Sequence, residues 1–187
     1  FPLTTNPAET IDLYIRVNTE SAVQLPLQLW DPDTFYEYDE PRVLAKAFVA
    51  GTLVIMFFYN LFLFFTIRDS NYLHYVGLVA MMLLFDISLN GLGYLYLWSE
   101  VPLISQRIVP MSIAGLALSA GLFTHGFLKT KENLPTGHKI LAFFTVGSGL
   151  IFLACFVLSY SITVRAAAIF GGSISVVCMV VGLLEMR

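Results

Sequence analysis

Residues 47–67 read AFVAGTLVIMFFYNLFLFFTI, a stretch of 21 residues without a single charged side chain. As an α-helix this stretch would be about 31 Å long, since each residue adds about 1.5 Å. The hydrocarbon core of a bilayer is roughly 30 Å thick. Because a backbone in lipid must satisfy its N–H and C=O groups within its own segment, we predict a membrane-spanning helix here.

Four further apolar runs follow, and the only charged residue inside any of them is Asp86. They cover residues 70–99, 108–128, 140–164 and 166–184. Short connections between such runs favour antiparallel neighbours in an up-and-down bundle. The sequence therefore predicts an all-α transmembrane bundle with helices at about 43–67, 72–97, 103–128, 139–160 and 163–185.

The composition of the whole chain agrees with a membrane protein. Hydrophobic residues make up 57% of the chain, charged residues 12%, and the mean hydropathy is +0.77. A soluble domain usually has about 45–50% apolar and 25% charged residues. These values exclude a soluble globular domain, a disordered chain and a nucleic-acid-binding protein, since nothing in the sequence forms a basic surface.

Charge and hydropathy both change at the dipeptide Pro41-Arg42. Residues 1–41 carry eight acidic side chains and one basic side chain, a net charge of −7, whereas residues 42–187 carry five acidic and nine basic ones, a net charge of +4. Such a change indicates a domain boundary. We interpret residues 1–41 as a separate unit with a solvated acidic surface, and residues 42–187 as the transmembrane bundle.

The first unit has the pattern of β-strands. Residues 11–17 and 23–29 alternate apolar and polar side chains, which is typical of strands with one buried face. Two strands are not stable alone, so we expect them to belong to a larger extracytoplasmic β domain. Residues 31–41 are then a short linker, which we expect to couple that domain to the first helix.

The orientation of the bundle is predicted from its basic residues. Lys129, Lys131 and Lys139 cluster in one short connection. Lysine and arginine are enriched in cytoplasmic loops, so this connection is placed in the cytoplasm. Residues 1–41 are then on the outer side of the membrane.

Asp86 is the leading candidate for a functional residue, because an ionisable group within a membrane helix is costly to bury. Asn90 and Gly93 follow four and seven residues later and share its helix face. Arg107, near the outer end of the third helix, is a candidate partner. We consider two interpretations of this set: a polar contact that holds helices together, or a site for a ligand, a proton or an ion.

Small residues also recur at helical spacing. Gly115 and Ser119 are four residues apart in the third run, and Ala167, Gly171 and Ser175 follow the same spacing in the fifth. Small side chains let helix backbones approach closely in membranes. We predict that these positions are helix contacts.

The sequence predicts no catalytic residue, no cofactor and no metal site. It contains no Gly-x-Ser-x-Gly, Walker loop or His-Glu-x-x-His motif. An intramembrane enzyme therefore has no support. A receptor module and a fragment of a transporter or channel remain, the latter with a polar path at Asp86, Asn90 and Arg107.

Several short motifs carry a family resemblance: YNLFLFF at 59–65, RDSNYLHY at 68–75, NGLG at 90–93 and FLKT at 127–130. With these motifs the chain resembles the bacterial seven-transmembrane receptors with diverse intracellular signalling modules. The resemblance implies seven helices, of which five are in this chain. It also implies that residues 1–41 end a jelly-roll-like sensor domain for a small, carbohydrate-like ligand.

The resemblance further implies how such a protein is placed and what it works with. We expect a multi-pass protein of the bacterial inner membrane, in contact with the lipid bilayer and with no nucleic acid partner. We expect a homodimer and a cytoplasmic output domain on the same chain. The output would be a histidine kinase, a diguanylate cyclase or a phosphatase, and the family has no shared catalytic residues in this region.

Overall fold

A computed structural model describes residues 12–16, 27–93, 97, 102–128 and 135–185 of the chain. These residues contain five long helices, each apolar and long enough to cross a membrane. The helices are α1 Pro32–Ile67, α2 Ser70–Leu89, α3 Pro102–Phe127, α4 Pro135–Ala154 and α5 Tyr160–Glu185. The predicted all-α set of five apolar helices is confirmed for this part of the chain.

Helix α3 lies at the centre of the bundle. It packs against α2, α4 and α5, while α4 also packs against α5 and α1 packs mainly against α2. The small core between α3, α4 and α5 is formed by Ala117, Leu141 and Ile174. Because α1 has only one main neighbour, most of its apolar surface is available to lipid, which is the solvent expected around a membrane bundle.

A tight turn joins α1 to α2. Arg68 adopts a left-handed conformation, with φ 59° and ψ 28°, and its N–H donates to the carbonyl of Phe64 at 2.8 Å. The Asp69 side chain accepts a hydrogen bond from the N–H of Asn71 at 2.9 Å and so caps the start of α2. With only these two residues between them, the helices run antiparallel.

Helix α1 starts earlier than the sequence analysis predicted. The predicted linker, residues 31–41, is helical from Pro32 onward, whereas the helix was expected to begin at 43. Proline is favoured in a first helical turn, where its missing N–H costs nothing, and the Asp31 carbonyl accepts from the N–H of Phe35 at 2.9 Å. The change in polarity at 41–42 therefore falls within α1 and does not mark the start of the helix.

Helix α2 ends earlier than predicted, at Leu89 instead of 97. Asn90 follows the last helical residue, and Gly91 has φ +74°, a left-handed conformation that stops a helix at little cost for glycine. Helix α4 spans Pro135–Ala154 where 139–160 was predicted, and α5 begins at Tyr160 where 163 was predicted.

The predicted β hairpin is only partly covered. Residues 12–16 and 27–29, the described parts of the two predicted strands, contain no strand. The rest of the hairpin lies outside the described residues. The β domain therefore stays a prediction.

Candidate functional site

Asp86 lies on α2, one turn before the end of the helix. Its Oδ1 accepts a hydrogen bond from the Asn90 side-chain amide at 3.1 Å, and its main-chain carbonyl accepts from the Asn90 N–H at 3.0 Å. Its other carboxylate oxygen, Oδ2, is buried and has no hydrogen-bond partner. Burying a carboxylate oxygen without a donor is costly. The predicted contact between Asp86 and Asn90 is therefore present, together with an unsatisfied polar atom, whereas Gly93 lies beyond the end of α2 and the left-handed Gly91 and does not continue the same helix face.

Arg107 lies near the N-terminal end of α3 and points to a different part of the bundle. Its Nη1 donates to the carbonyls of Phe156 and Cys155, the latter at 3.4 Å. These carbonyls directly follow the last residue of α4 and have no helical partner of their own. A cation at a helix C-terminus is stabilising because it faces the negative end of the helix dipole. Arg107 therefore ties α3 to the turn between α4 and α5.

The structure brings Asp86 and Asn90 together but does not join either of them to Arg107. The side-chain hydrogen bond of Asp86 comes from Asn90, directly after α2, and those of Arg107 go to the two residues that follow α4. One sequence signal was available for the Arg107 contact. In an up-and-down bundle the start of the third run and the end of the fourth lie on the same side of the membrane, where free helix carbonyls attract a cation.

The small residues predicted on α3 lie against α2. A Cβ added to Gly115 would lie 2.6 Å from the Met81 sulfur, and the Ser119 hydroxyl oxygen lies 3.3 Å from the corresponding position at Gly77. Side chains larger than these would push the two helices apart. Both positions therefore allow the close approach of α2 and α3.

The small residues predicted on α5 do not all face the same way. A Cβ on Gly171 would lie 3.2 Å from the Ile113 side chain of α3, and Ala167 is fully buried. Ser175 is exposed, and its hydroxyl donates to the Gly171 carbonyl at 2.8 Å. Two of these three positions thus face the bundle, and Ser175 faces outward.

Two glycines that the sequence analysis did not select, Gly121 and Gly147, are enclosed more tightly than Gly115. A Cβ on Gly121 would overlap the Thr145 hydroxyl and lie 3.0 Å from Ile174 Cδ1. A Cβ on Gly147 would overlap the ring of Phe170. Gly121 belongs to α3 and Gly147 to α4, and these contacts fix the junction of α3, α4 and α5. A small-residue spacing alone does not reveal them, because each depends on which side chain the neighbouring helix presents.

Buried hydroxyl groups in the bundle are satisfied by nearby main-chain carbonyls. Thr145 donates to Leu141 at 2.7 Å, and Ser148 donates to Phe144 at 2.8 Å. Such bonds let a hydroxyl lie in an apolar interior without a partner from another helix. Among the described residues, no three His, Cys, Asp or Glu side chains lie close enough together to hold a metal ion.

A comparison with known protein families gives one match. The model of the family described as 7TM diverse intracellular signalling matches residues 42–187, which is more than three quarters of the chain. This match confirms the resemblance that the sequence motifs indicated. No curated protein and no solved structure matches the chain.

Proposed function

Since the chain belongs to the 7TM diverse intracellular signalling family and is a multi-pass transmembrane signalling module, we propose that it transmits signals within a bacterial receptor. In this proposal a small, carbohydrate-like ligand binds on the outer side, and a cytoplasmic output domain on the same chain responds. The output is a histidine kinase, a diguanylate cyclase or a phosphatase. The helices do no chemistry themselves.

The continuity of α1 is the observation that carries the proposal. The helix has 36 residues, and its charge-free part begins only at Ala47. Residues 32–46 therefore extend about 22 Å beyond the hydrocarbon core, at about 1.5 Å per residue. A continuous helix transmits a displacement that an irregular linker would absorb. This supports a mechanical connection between the outer segment and the bundle.

The packing of the bundle offers a route for the displacement. Helix α1 packs on α2, and α2 packs on the central α3, which contacts both α4 and α5. A ligand shifts such a bundle only if it binds one arrangement more tightly than the other. The proposal therefore requires at least two arrangements that differ at the outer ends of these helices.

The transporter or channel alternative is not favoured. It requires Asp86, Asn90 and Arg107 to line one path, whereas Arg107 binds the carbonyls at the end of α4. The family match is to a signalling module. We therefore develop only the receptor proposal.

Orientation, helix number and assembly complete the proposal. We propose that the outer segment lies in the periplasm and that the protein resides in the bacterial inner membrane. The family description supports a complete bundle of seven helices. A homodimer is proposed by analogy with receptors of this class. It is tested by placing a single label on each chain and counting the photobleaching steps in nanodiscs.

Insertions in α1 test signal transmission. In the full-length protein, one to four alanines are inserted after Glu40, which is exposed on the extramembrane part of α1. Each added residue rotates the outer segment by about 100° relative to the bundle, since a helix has 3.6 residues per turn. Basal output should therefore vary periodically with the number of insertions. Output that is the same for every insertion would contradict transmission through α1.

Cysteine labelling tests the orientation separately. Leu29→Cys and Thr136→Cys place exposed thiols at the outer segment and at the start of α4. A membrane-impermeant maleimide should reach the first in intact spheroplasts and the second only after the membrane is permeabilised. The unsubstituted protein controls for its two native cysteines, which are buried or partly buried. The reverse pattern would place residues 1–41 in the cytoplasm.

A further inference from the structure

We propose that Trp30, Tyr38 and Arg42 form an aromatic clasp that fixes the chain preceding α1 to the extramembrane part of α1, so that the two move as one body. The inference rests on the proposed function, because it identifies where a signal from the outer segment enters the helix. The three residues were not among the candidates from the sequence. They come from three contacts at one place.

The clasp is a stack of two rings and one cation. The rings of Trp30 and Tyr38 are 4.7 Å apart and inclined by 23°, which is a stacked arrangement. The Arg42 guanidinium carbon lies 4.8 Å from the centre of the Tyr38 ring. The Trp30 indole N–H also donates to the Gln28 side chain at 3.1 Å. Each is a favourable geometry for aromatic or cation–π contacts.

The sequence explains how these side chains meet. Tyr38 and Arg42 are four residues apart on α1, so they are neighbours on one helix face. Trp30 lies before the helix, in a segment without regular structure. Asp31 is extended, with φ −67° and ψ 138°, and directs the chain so that the indole reaches a tyrosine two turns into the helix.

The clasp matters because the described residues on either side of it are largely exposed. Leu27, Gln28 and Leu29 are exposed, and so is the extramembrane part of α1 around Tyr38 and Arg42. A flexible segment at this point would absorb a movement of the outer domain. With Trp30 stacked on the helix, the same movement displaces the outer end of α1. The contacts are solvent-exposed, so the attachment is reversible.

A distance measurement tests the clasp without any ligand. Nitroxide labels are attached to Leu29→Cys and Phe48→Cys, two exposed positions on either side of the clasp. Cys155→Ala and Cys178→Ala remove the native thiols. The width of the label-to-label distance distribution is measured by pulsed electron paramagnetic resonance in lipid nanodiscs. The unsubstituted clasp should give a narrow distribution.

Variants separate the clasp from general effects. Trp30→Ala and Tyr38→Ala should broaden the distribution, and Arg42→Gln should broaden it less because the two rings still stack. Tyr38→Phe keeps the ring and should leave the distribution narrow. Tyr14→Ala is the matched control, since this tyrosine is 91% exposed and lies outside the clasp.

Two results would overturn the proposal. One is a distribution that is already broad in the unsubstituted protein, and the other is an unchanged width in both Trp30→Ala and Tyr38→Ala. All three clasp residues precede the charge-free stretch of α1 that begins at Ala47, so the bundle should fold in every variant. If the clasp exists but the proposed receptor function is wrong, the distance distribution stays narrow and the insertions after Glu40 have no effect on output. The failure of the receptor function is therefore distinguishable from the failure of the clasp.

Discussion

Replacing Asp86 and Arg107, singly and together, decides between the pairing that the sequence suggested and the partners that the structure gives them. The set consists of Asp86→Asn, Arg107→Gln and the double variant. In the structure the two side chains share no hydrogen-bond partner, since Asp86 binds Asn90 and Arg107 binds the carbonyls of Cys155 and Phe156. Their effects on the free energy of unfolding should therefore add.

The expected magnitudes follow from these contacts. Arg107→Gln removes charge-assisted hydrogen bonds to the end of α4 and should destabilise the protein by about 1.5–3 kcal/mol. Asp86→Asn keeps an oxygen to accept from Asn90 and replaces a buried carboxylate by a neutral amide, which costs less to bury, so it should be neutral or stabilising. The coupling between the two changes should be within about 0.5 kcal/mol of zero. If the two charges formed a buried pair, breaking it would cost about 3–5 kcal/mol.

Reversible unfolding in mixed micelles, followed by circular dichroism as the denaturing detergent increases, supplies the free energies. Arg165→Gln is the matched control, because Arg165 is an exposed arginine near the N-terminal end of α5. Its replacement should change stability by no more than about 0.5 kcal/mol. A coupling of about 1 kcal/mol or more between Asp86 and Arg107, which is typical of residues in contact, would refute the separate partners.

Three further predictions concern the helix packing and the turn between α1 and α2, and each is checked by the same unfolding measurement. Gly121→Ala should destabilise the protein by about 1–3 kcal/mol, because the added methyl group would overlap Thr145. Gly172→Ala, where no atom lies within 4 Å of the added Cβ, should be neutral or stabilising by up to about 1 kcal/mol. Equal effects of the two substitutions would contradict the close approach of α3 and α4. Arg68→Gly should stabilise by about 1 kcal/mol, since Arg68 has φ 59°, and a loss of stability would show that its side chain contributes a contact. Asp69→Ala should cost about 1 kcal/mol through the lost cap of α2, and Asp69→Asn should recover most of that loss.

The number of helices could be predicted because hydropathy reports directly on burial in lipid. The ends of the helices could not. Helix α1 begins at Pro32, because Asp31 and a proline in the first turn can start a helix in a polar segment. A polar sequence therefore does not mark where α1 begins. Helix α2 ends at Leu89, within an apolar run, because Gly91 adopts a left-handed conformation. Hydropathy therefore finds the membrane boundary, whereas local backbone preferences decide the helix boundary.

The contacts of the candidate site also differ in whether the sequence could predict them. The hydrogen bond between Asp86 and Asn90 joins residues four apart on one helix, and the spacing alone placed them on one face. The acceptors of Arg107 are 48 and 49 residues away along the chain. Finding them requires knowing that α3 and α4 are neighbours. The predicted partner, Asp86, was the only acid within the apolar runs, but the free carbonyls of α4 attract the arginine equally well on physical grounds.

The geometry of the α1–α2 pair also suggests how Asp86 could take part in signal transmission. Arg68 and Asp69 join the two helices, so in the proposed receptor a displacement of the N-terminal end of α1 would tilt it about this turn. Asp86 is 16 residues beyond the start of α2, about 24 Å from the turn at 1.5 Å per residue. In the proposed receptor, such a tilt would be larger at the level of this buried and unsatisfied carboxylate oxygen than at the turn. In the proposed receptor, a shift of α1 toward α2 would change the surroundings of Asp86 Oδ2 before it reached the tightly packed junction of α3, α4 and α5. Asp86→Leu should accordingly alter basal output in the full-length protein; unchanged output and expression would remove Asp86 from the mechanism.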